Sequence, residues 1–185
     1  MKLLRFIAPA LLLLSSSVFA GGSLDLSINN ETAGLEYDAT RMGSPLHVSA
    51  GFLHHEDDAD LLSLGLNDVD VRSKQSPVKI GIGGKLLTYF VGDEEGAALA
   101  IGGFARYMPA ELNGLGFSGH VYYSPSVLSF DSTENIIDLG ARIEYKLLPT
   151  AMVYLGYRFV EASEEELVQN LEIVKAGHFG LRINF

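Results

Sequence analysis

Polar and apolar residues alternate along most of the chain from residue 23 to its end. In the last nine residues, Phe179, Leu181, Ile183 and Phe185 share one parity, and small or polar residues occupy the other. Because a β-strand points successive side chains to opposite faces, this pattern predicts a strand with one apolar face. The same alternation recurs in ten segments: 23–29, 34–41, 46–52, 62–67, 78–90, 97–107, 115–123, 136–146, 151–159 and 174–185. The chain is therefore predicted to be all-β, with about ten antiparallel strands, or eight if a weak segment such as the first stays outside the sheet.

The polar face of these segments predicts which side of the sheet faces lipid. Besides charged residues, it carries many small ones: Gly81, Gly83, Ala98, Ala100, Gly102, Gly116, Ser118, Gly140, Gly156 and Gly180. Small side chains fit the concave side of a narrow barrel, so the uniformly apolar face is assigned to the outside. The alternative is a soluble β-sandwich or lipocalin-like barrel, in which the apolar face would form the core. We predict a closed antiparallel transmembrane β-barrel.

One segment breaks the alternation. Leu62, Leu64 and Leu66 share one parity, but Val69 and Val71 fall on the other. A change of parity inside a strand arises where an extra residue is inserted, or where the strand ends. The sequence therefore predicts a bulge or a strand end at Asn67-Asp68.

The first 20 residues have the features of a secretory signal peptide. Lys2 and Arg5 precede an apolar run from Phe6 to Leu14, and Val18-Phe19-Ala20 fits a small-residue cleavage pattern. The apolar run is shorter than the roughly 20 residues of a membrane-spanning helix, and no later apolar segment is long enough for one. A membrane protein without such a helix must be a closed barrel. We expect a signal peptide at 1–20, a β-barrel at 21–185 and localisation in the bacterial outer membrane.

Composition excludes several classes of function. The chain has 13 basic and 23 acidic residues, and removal of Lys2 and Arg5 would leave 11 − 23 = −12. Such an acidic protein does not fit nucleic acid as a partner, because phosphate binding requires a concentrated basic face. The absence of cysteine excludes disulfides and cysteine-based sites. No phosphate-binding loop is present, and no cofactor is expected.

The connections between the predicted strands differ in charge, which orients the barrel. With both chain ends in the periplasm, the connections at 43–45, 72–77, 109–114 and 148–150 are periplasmic. Those at 56–60, 92–96, 124–133 and 161–172 are extracellular and carry most of the acidic runs. The expected partners are outer-membrane lipid, lipopolysaccharide and the barrel-assembly machinery, for which Phe179, Leu181, Ile183 and Phe185 would form the recognition signal.

Charged residues of inward parity are the candidate functional residues. They carry both signs in similar numbers: Glu36, Asp38, Lys79, Lys85, Arg106, His120, Asp138, Arg142, Glu144, Arg158 and Arg182. A barrel of this size is narrow enough for side chains to fill. One interpretation is an ion-pair network that keeps the lumen closed, since charges in a low-dielectric wall must be paired. The other is a narrow polar channel lined by the same charges.

The segment from His54 to Asp60 is the densest group of metal-ligand residue types. His54, Asp57, Asp58 and Asp60 could hold a divalent cation, but the segment lacks the EF-hand pattern. We expect a solvated acidic loop without a dedicated metal, and loose binding of divalent cations remains an alternative. Ten-stranded proteases of the omptin type use Asp–Asp and Asp–His pairs at the extracellular rim. This loop supplies one half of that arrangement and no motif supplies the other, so no enzyme activity is expected.

Several short motifs together point to a family. They are His54 with Asp57, Asp58 and Asp60; Gly83-Gly84-Lys85; Gly102-Gly103; Tyr122-Tyr123-Ser124-Pro125; Gly140-Ala141-Arg142; and Gly156-Tyr157-Arg158. In order and spacing the chain resembles the YfaZ family of small bacterial outer-membrane proteins. The resemblance implies an outer-membrane β-barrel and no particular activity. We expect a structural or small-solute barrel with a narrow, charge-filled lumen. The alternatives are a narrow channel for small solutes or hydrophobic compounds and, less favoured, a hydrolase active at the rim.

Overall fold

The computed structural model describes residues 21–40, 44–56, 59–70, 76–92, 94–131, 133–164 and 171–185. The strands are β1 (Gly22–Ile28), β2 (Thr32–Thr40), β3 (Leu46–His55), β4 (Ala59–Val69), β5 (Val78–Val91), β6 (Glu94–Tyr107), β7 (Leu115–Ser124), β8 (Ser129–Asp131), β9 (Thr133–Leu148), β10 (Ala151–Glu164) and β11 (Leu171–Asn184). Single turns of 3-10 helix lie at Ala110–Leu112 and Ser126–Leu128. Within the described ranges, no helix is long and apolar enough to cross a membrane.

Ten of these strands form a closed antiparallel barrel. Each pairs with its neighbour in sequence, apart from the short β8, and β1 closes the ring by pairing with β11 from Ser23–Asn184 to Ile28–Phe179. β7 pairs with β9, and the three residues of β8 pair with β6 beyond the end of β7. This architecture confirms the predicted fold class and strand number. The predicted signal peptide lies in residues 1–20, outside the described part of the chain.

The alternation of the sequence places apolar side chains on the outer surface. Ile82 is 67% exposed, Leu155 66% and Ile101 62%. Small residues face inward where large side chains need space. A Cβ atom at Gly180 would overlap the ring of Tyr154, and one at Gly140 would overlap the imidazole of His120. The barrel is therefore apolar outside and mixed inside.

The irregularity predicted at Asn67-Asp68 is not a bulge. β4 keeps one register with β3 through Asp68 and with β5 through Val69, and the alternation of buried and exposed residues continues to Val69. Val69 is fully buried and Asp68 is exposed. The prediction of a bulge was wrong, and the alternative of a strand end was close. At the end of a strand, a polar residue on the outer face can reach water, so the change in residue type required no change in backbone.

The connections divide between the two ends of the barrel. Gly21, which is the first described residue, Phe185 and the connections β2–β3, β4–β5, β6–β7 and β9–β10 lie at one end, here called the terminal end. The remaining connections lie at the opposite end, here called the loop end. The connections predicted as periplasmic all lie at the terminal end, and those predicted as extracellular lie at the loop end together with the β1–β2 connection.

Candidate functional site

The interior of the barrel has two parts of opposite character. Toward the loop end, buried side chains form what we call the inner apolar cluster: Leu53, Leu61, Leu87, Tyr89, Ala98, Ala100, Tyr122, Ile136, Val160, Ala162, Ile173 and Val174. Leu87, Tyr89 and Ile136 have no exposed surface. The inward parity of the charged residues predicted a lumen filled with charge. The structure places charge in one half of the lumen and apolar packing in the other.

Toward the terminal end lies a cavity of about 190 Å³, which we call the polar vestibule. Its lining reaches Gly22, Thr40 and Asn184, which lie at strand ends of the terminal end. Nine of the eleven predicted lumen charges line it, namely Glu36, Asp38, Lys79, Lys85, Arg106, His120, Arg142, Arg158 and Arg182. The other two, Asp138 and Glu144, lie buried in the wall. The vestibule is thus the place where the predicted charges meet.

Asp138 is the centre of the first group of charges. It is fully buried on β9 and accepts hydrogen bonds from Arg158 on β10, Nε to Oδ1 at 3.0 Å and Nη2 to Oδ2 at 2.9 Å. His120 Nε2 lies 3.0 Å from Oδ1, and Lys85 Nζ lies 3.7 Å from Oδ2. A carboxylate without water needs such partners, because an unpaired buried charge is strongly unfavourable. The group joins β5, β7, β9 and β10 across the lumen.

Asp25 is the centre of the second group, although it was not among the predicted site residues. Arg142 Nη1 and Arg182 Nε each donate to its Oδ2 at 2.9 Å, and the hydroxyl of Tyr154 donates to Oδ1. Its sequence signal was present: Asp25 has inward parity between Leu24 and Leu26. The guanidinium group of Arg142 also lies over the Tyr154 ring, with its Cζ 4.4 Å from the ring centroid. This group ties β1 to β9, β10 and β11, and so spans the closure of the barrel.

Glu144 is the centre of the third group. Ser118 Oγ donates to its Oε1 at 2.7 Å, and Arg106 Nε lies 2.9 Å from Oε2. Arg182 Nη1 lies 3.7 Å from Oε1, so Arg182 connects this group with Asp25. Glu144 is 1% exposed. Its negative charge is therefore covered by the side chains that face the cavity.

The remaining predicted charges lie on the side of the vestibule formed by β2, β3 and β5. Asp38 Oδ1 lies 2.8 Å from His47 Nδ1, and Glu36 Oε2 lies 3.9 Å from Lys85 Nζ. Lys79 makes no direct ion pair or hydrogen bond with any residue of the described ranges. Asp38 and Arg182 interact with its ammonium group electrostatically without direct contact. Lys79 is thus the lining cation without a carboxylate in contact.

The loop that carried the metal hypothesis contains one close pair. His54 Nδ1 lies 2.7 Å from Asp60 Oδ1, and both side chains are exposed. Asp57 and Asp58 lie outside the described residues. Among the residues that the structure describes, no three His, Cys, Asp or Glu side chains form a group able to hold a metal ion.

The proposed assembly signal lies on the outer face of β11 and at the chain end. Phe179 is 50% exposed, Ile183 39% and Phe185 64%, and Leu181 is partly exposed. The ring of Phe185 stacks against Tyr37 with centroids 6.1 Å apart. Gly22 N donates to Phe185 O at 2.9 Å, so the backbone of the last residue takes part in closing the barrel.

Comparisons with known proteins relate the chain to a family and to solved structures. A family model described as "YfaZ precursor" matches residues 1–185, the whole chain. A solved structure titled "KdgM porin" is 12% identical with a TM-score of 0.49, and the match covers 90% of this chain and 99% of that chain. No curated protein matches the chain. The fold assignment depends on the closed strand order of this chain and not on the solved structure.

Proposed function

The chain belongs to the YfaZ family, and from this premise and its two-part interior we propose an outer-membrane barrel that is closed to ion flow at rest and holds a small-solute vestibule at its periplasmic end. The observation that carries the proposal is the inner apolar cluster, whose side chains are at most 6% exposed and lie beyond the vestibule toward the loop end. Water and ions do not enter a dry apolar constriction readily, so a polar cavity that ends there is a binding space rather than a path.

The outer surface supports a position in a membrane. Large apolar side chains such as Leu64, Ile80 and Val121 are about half exposed around the barrel. An apolar surface of this extent is unusual on a soluble monomer, and a closed barrel satisfies the backbone hydrogen bonds that lipid cannot. The proposed partners are accordingly outer-membrane lipid, lipopolysaccharide at the acidic loop end, and the barrel-assembly machinery at β11. Loose binding of divalent cations by the loop-end carboxylates fits the same orientation.

A second function, a narrow channel for small solutes, is favoured by the vestibule itself. Its lining includes the charged side chains of Lys85, Arg106 and Arg142, as expected for a selective pore. In that case the inner apolar cluster would be a gate. We place the closed barrel first because Leu87, Tyr89 and Ile136 are packed without exposed surface. The described rim offers two His–carboxylate pairs, His54 with Asp60 at 2.7 Å and His55 with Glu31 at 3.9 Å, and we propose no enzymatic step for either.

Conductance in planar lipid bilayers tests the closed barrel. We expect the wild-type protein, purified from outer membranes, to give no discrete conductance steps in concentrated KCl. The double variant Leu87→Ala, Tyr89→Ala removes two inward side chains of β5 and should give small steps, because it opens a water path to the loop end. The matched control Leu86→Ala, Phe90→Ala changes outward side chains of the same strand, which are 39% and 38% exposed, and should stay silent. Steady steps from the wild type would overturn the closed barrel in favour of the channel.

A further inference from the structure

The charges of the barrel interior are separated by depth. Six cationic side chains line the vestibule, Lys79, Lys85, Arg106, Arg142, Arg158 and Arg182, against two carboxylates, Glu36 and Asp38. The three other interior carboxylates, Asp25, Asp138 and Glu144, are 5%, 0% and 1% exposed and lie behind the arginines. The lining thus has more positive than negative groups, although Glu36 and Asp38, at 35% and 25%, are more exposed than the ion-paired cations. A cleft with an excess of one sign of charge concentrates ions of the opposite sign.

The excess of positive over negative side chains is greatest where β5 pairs with β6 near the terminal end. Lys79 and Arg106 are direct cross-strand partners, and both line the cavity. Like charges directly opposite each other destabilise a strand pair. Arg106 Nε lies 2.9 Å from Glu144 Oε2, and Lys79 makes no direct carboxylate contact in the described ranges. Asp38 and Arg182, of opposite charge, both act on Lys79 electrostatically. An inward pair of this kind is explained if an anion occupies the space between the two side chains.

Resting on the proposed function, and deepening it, we propose that the vestibule binds a small free oxyanion, a carboxylate or a phosphate, held by Lys79 and Arg106. Arg182, which already pairs with Asp25 and Glu144, adds positive charge nearby. Arginine suits this task, because its planar group donates two parallel hydrogen bonds to such anions, and Lys79 adds a mobile point charge. The volume of about 190 Å³ sets the size of the ligand. It is below the roughly 300–1,000 Å³ of pockets for drug-sized molecules, so the ligand is a small solute.

Calorimetric titration of the full barrel in neutral detergent tests this site with three probes: inorganic phosphate, succinate and uncharged erythritol. We expect phosphate or succinate to bind and erythritol to give no saturable heat. Binding should weaken as NaCl is raised, because salt screens the attraction. Lys79→Gln should raise the dissociation constant at least tenfold. The control Lys175→Gln removes an exposed lysine paired with Glu172 outside the vestibule and should leave binding unchanged.

Circular dichroism of each variant shows whether the barrel has folded, and Arg106→Gln serves as a second variant. If neither variant folds, the anion site is judged from the wild type alone, by whether it binds phosphate or succinate and not erythritol. Equal heats for all three probes, or wild-type affinity in folded Lys79→Gln and Arg106→Gln, would overturn the anion site. Failure here is separable from failure of the closed barrel, because bilayer conductance reports the inner apolar cluster and titration reports the vestibule lining.

Discussion

The two halves of the lumen are built from the same strands and differ in what those strands place inside. On β5, Lys85 faces the vestibule, and Leu87 and Tyr89 on the same face belong to the inner apolar cluster. β10 changes in the same way from Arg158 to Val160, and β9 from Asp138 to Ile136. On each of these three strands, the inward face changes from charged to apolar between one inward residue and the next. Parity therefore decides which side chains enter the lumen, and position along the strand decides their chemistry.

The boundary between the halves is marked by Tyr122. Its ring is part of the inner apolar cluster, its hydroxyl donates to Asn67 Oδ1 at 2.8 Å, and Lys85 Nζ lies 4.7 Å from the ring centroid. An amphipathic side chain suits a position with apolar packing on one side and charge on the other. The terminal half keeps access to the vestibule and can support paired charges. The loop half lacks that access and is packed mostly with apolar side chains, and the buried hydroxyl of Tyr89 there is paired with Thr133 Oγ1 at 3.0 Å.

The largest expected effect comes from removing the carboxylate at the centre of the first group. Asp138→Ala leaves Arg158, His120 and Lys85 without their shared partner, and we expect a loss of about 3–5 kcal/mol in the free energy of unfolding. Urea titration of the barrel in detergent micelles, followed by circular dichroism, measures it. Asp68→Ala, which removes an exposed carboxylate at the end of β4, should have little effect. A loss below about 1 kcal/mol for Asp138→Ala would mean that the charge groups do not hold the terminal half together.

The next effect tests the apolar half without touching a charge. Leu87→Ala removes a fully buried side chain, and we expect a loss of about 2–5 kcal/mol, since the wall can collapse into the cavity only in part. Leu86→Ala on the outer face of the same strand is the matched control and should cost less. If the two variants lost the same free energy of unfolding in this urea titration, packing inside the barrel would be no more stabilising than contact with detergent.

The smallest effect is expected from one hydrogen bond in the second group. Tyr154→Phe keeps the ring under Arg142 but removes the hydroxyl that donates to Asp25. Hydrogen bonds to charged groups contribute about 1.5–3 kcal/mol, and a loss at the low end is expected because Arg142 and Arg182 still pair with Asp25. Tyr157→Phe, on the outer face, should leave stability unchanged. An unchanged free energy of unfolding in Tyr154→Phe would show that the two arginines satisfy the hydrogen-bonding needs of Asp25 by themselves.

Much of the fold could be predicted from the alternation alone. It indicated about ten strands, an apolar outer surface, and the inward parity of charged residues that the structure brings to the vestibule. The short β8 was assigned to a loop, and the bulge at Asn67-Asp68 was wrong, because single residues at strand ends carry little information about the backbone. Asp25 had the correct parity but no local motif, so nothing in the sequence marked it as the partner of two arginines.

The sequence by itself thus determined which residues face inward, because that depends only on the two-residue repeat of a strand. Only the tertiary structure decided which charges pair and where the lumen is closed. Arg142 reaches Asp25 across 117 residues of chain, and Arg182 reaches it across 157. Such pairs depend on the register of every ladder around the ring, since each step between strands shifts the heights at which side chains meet. The same closure gathers Leu87, Ile136 and Val160 from three strands into one apolar layer, which no single strand shows.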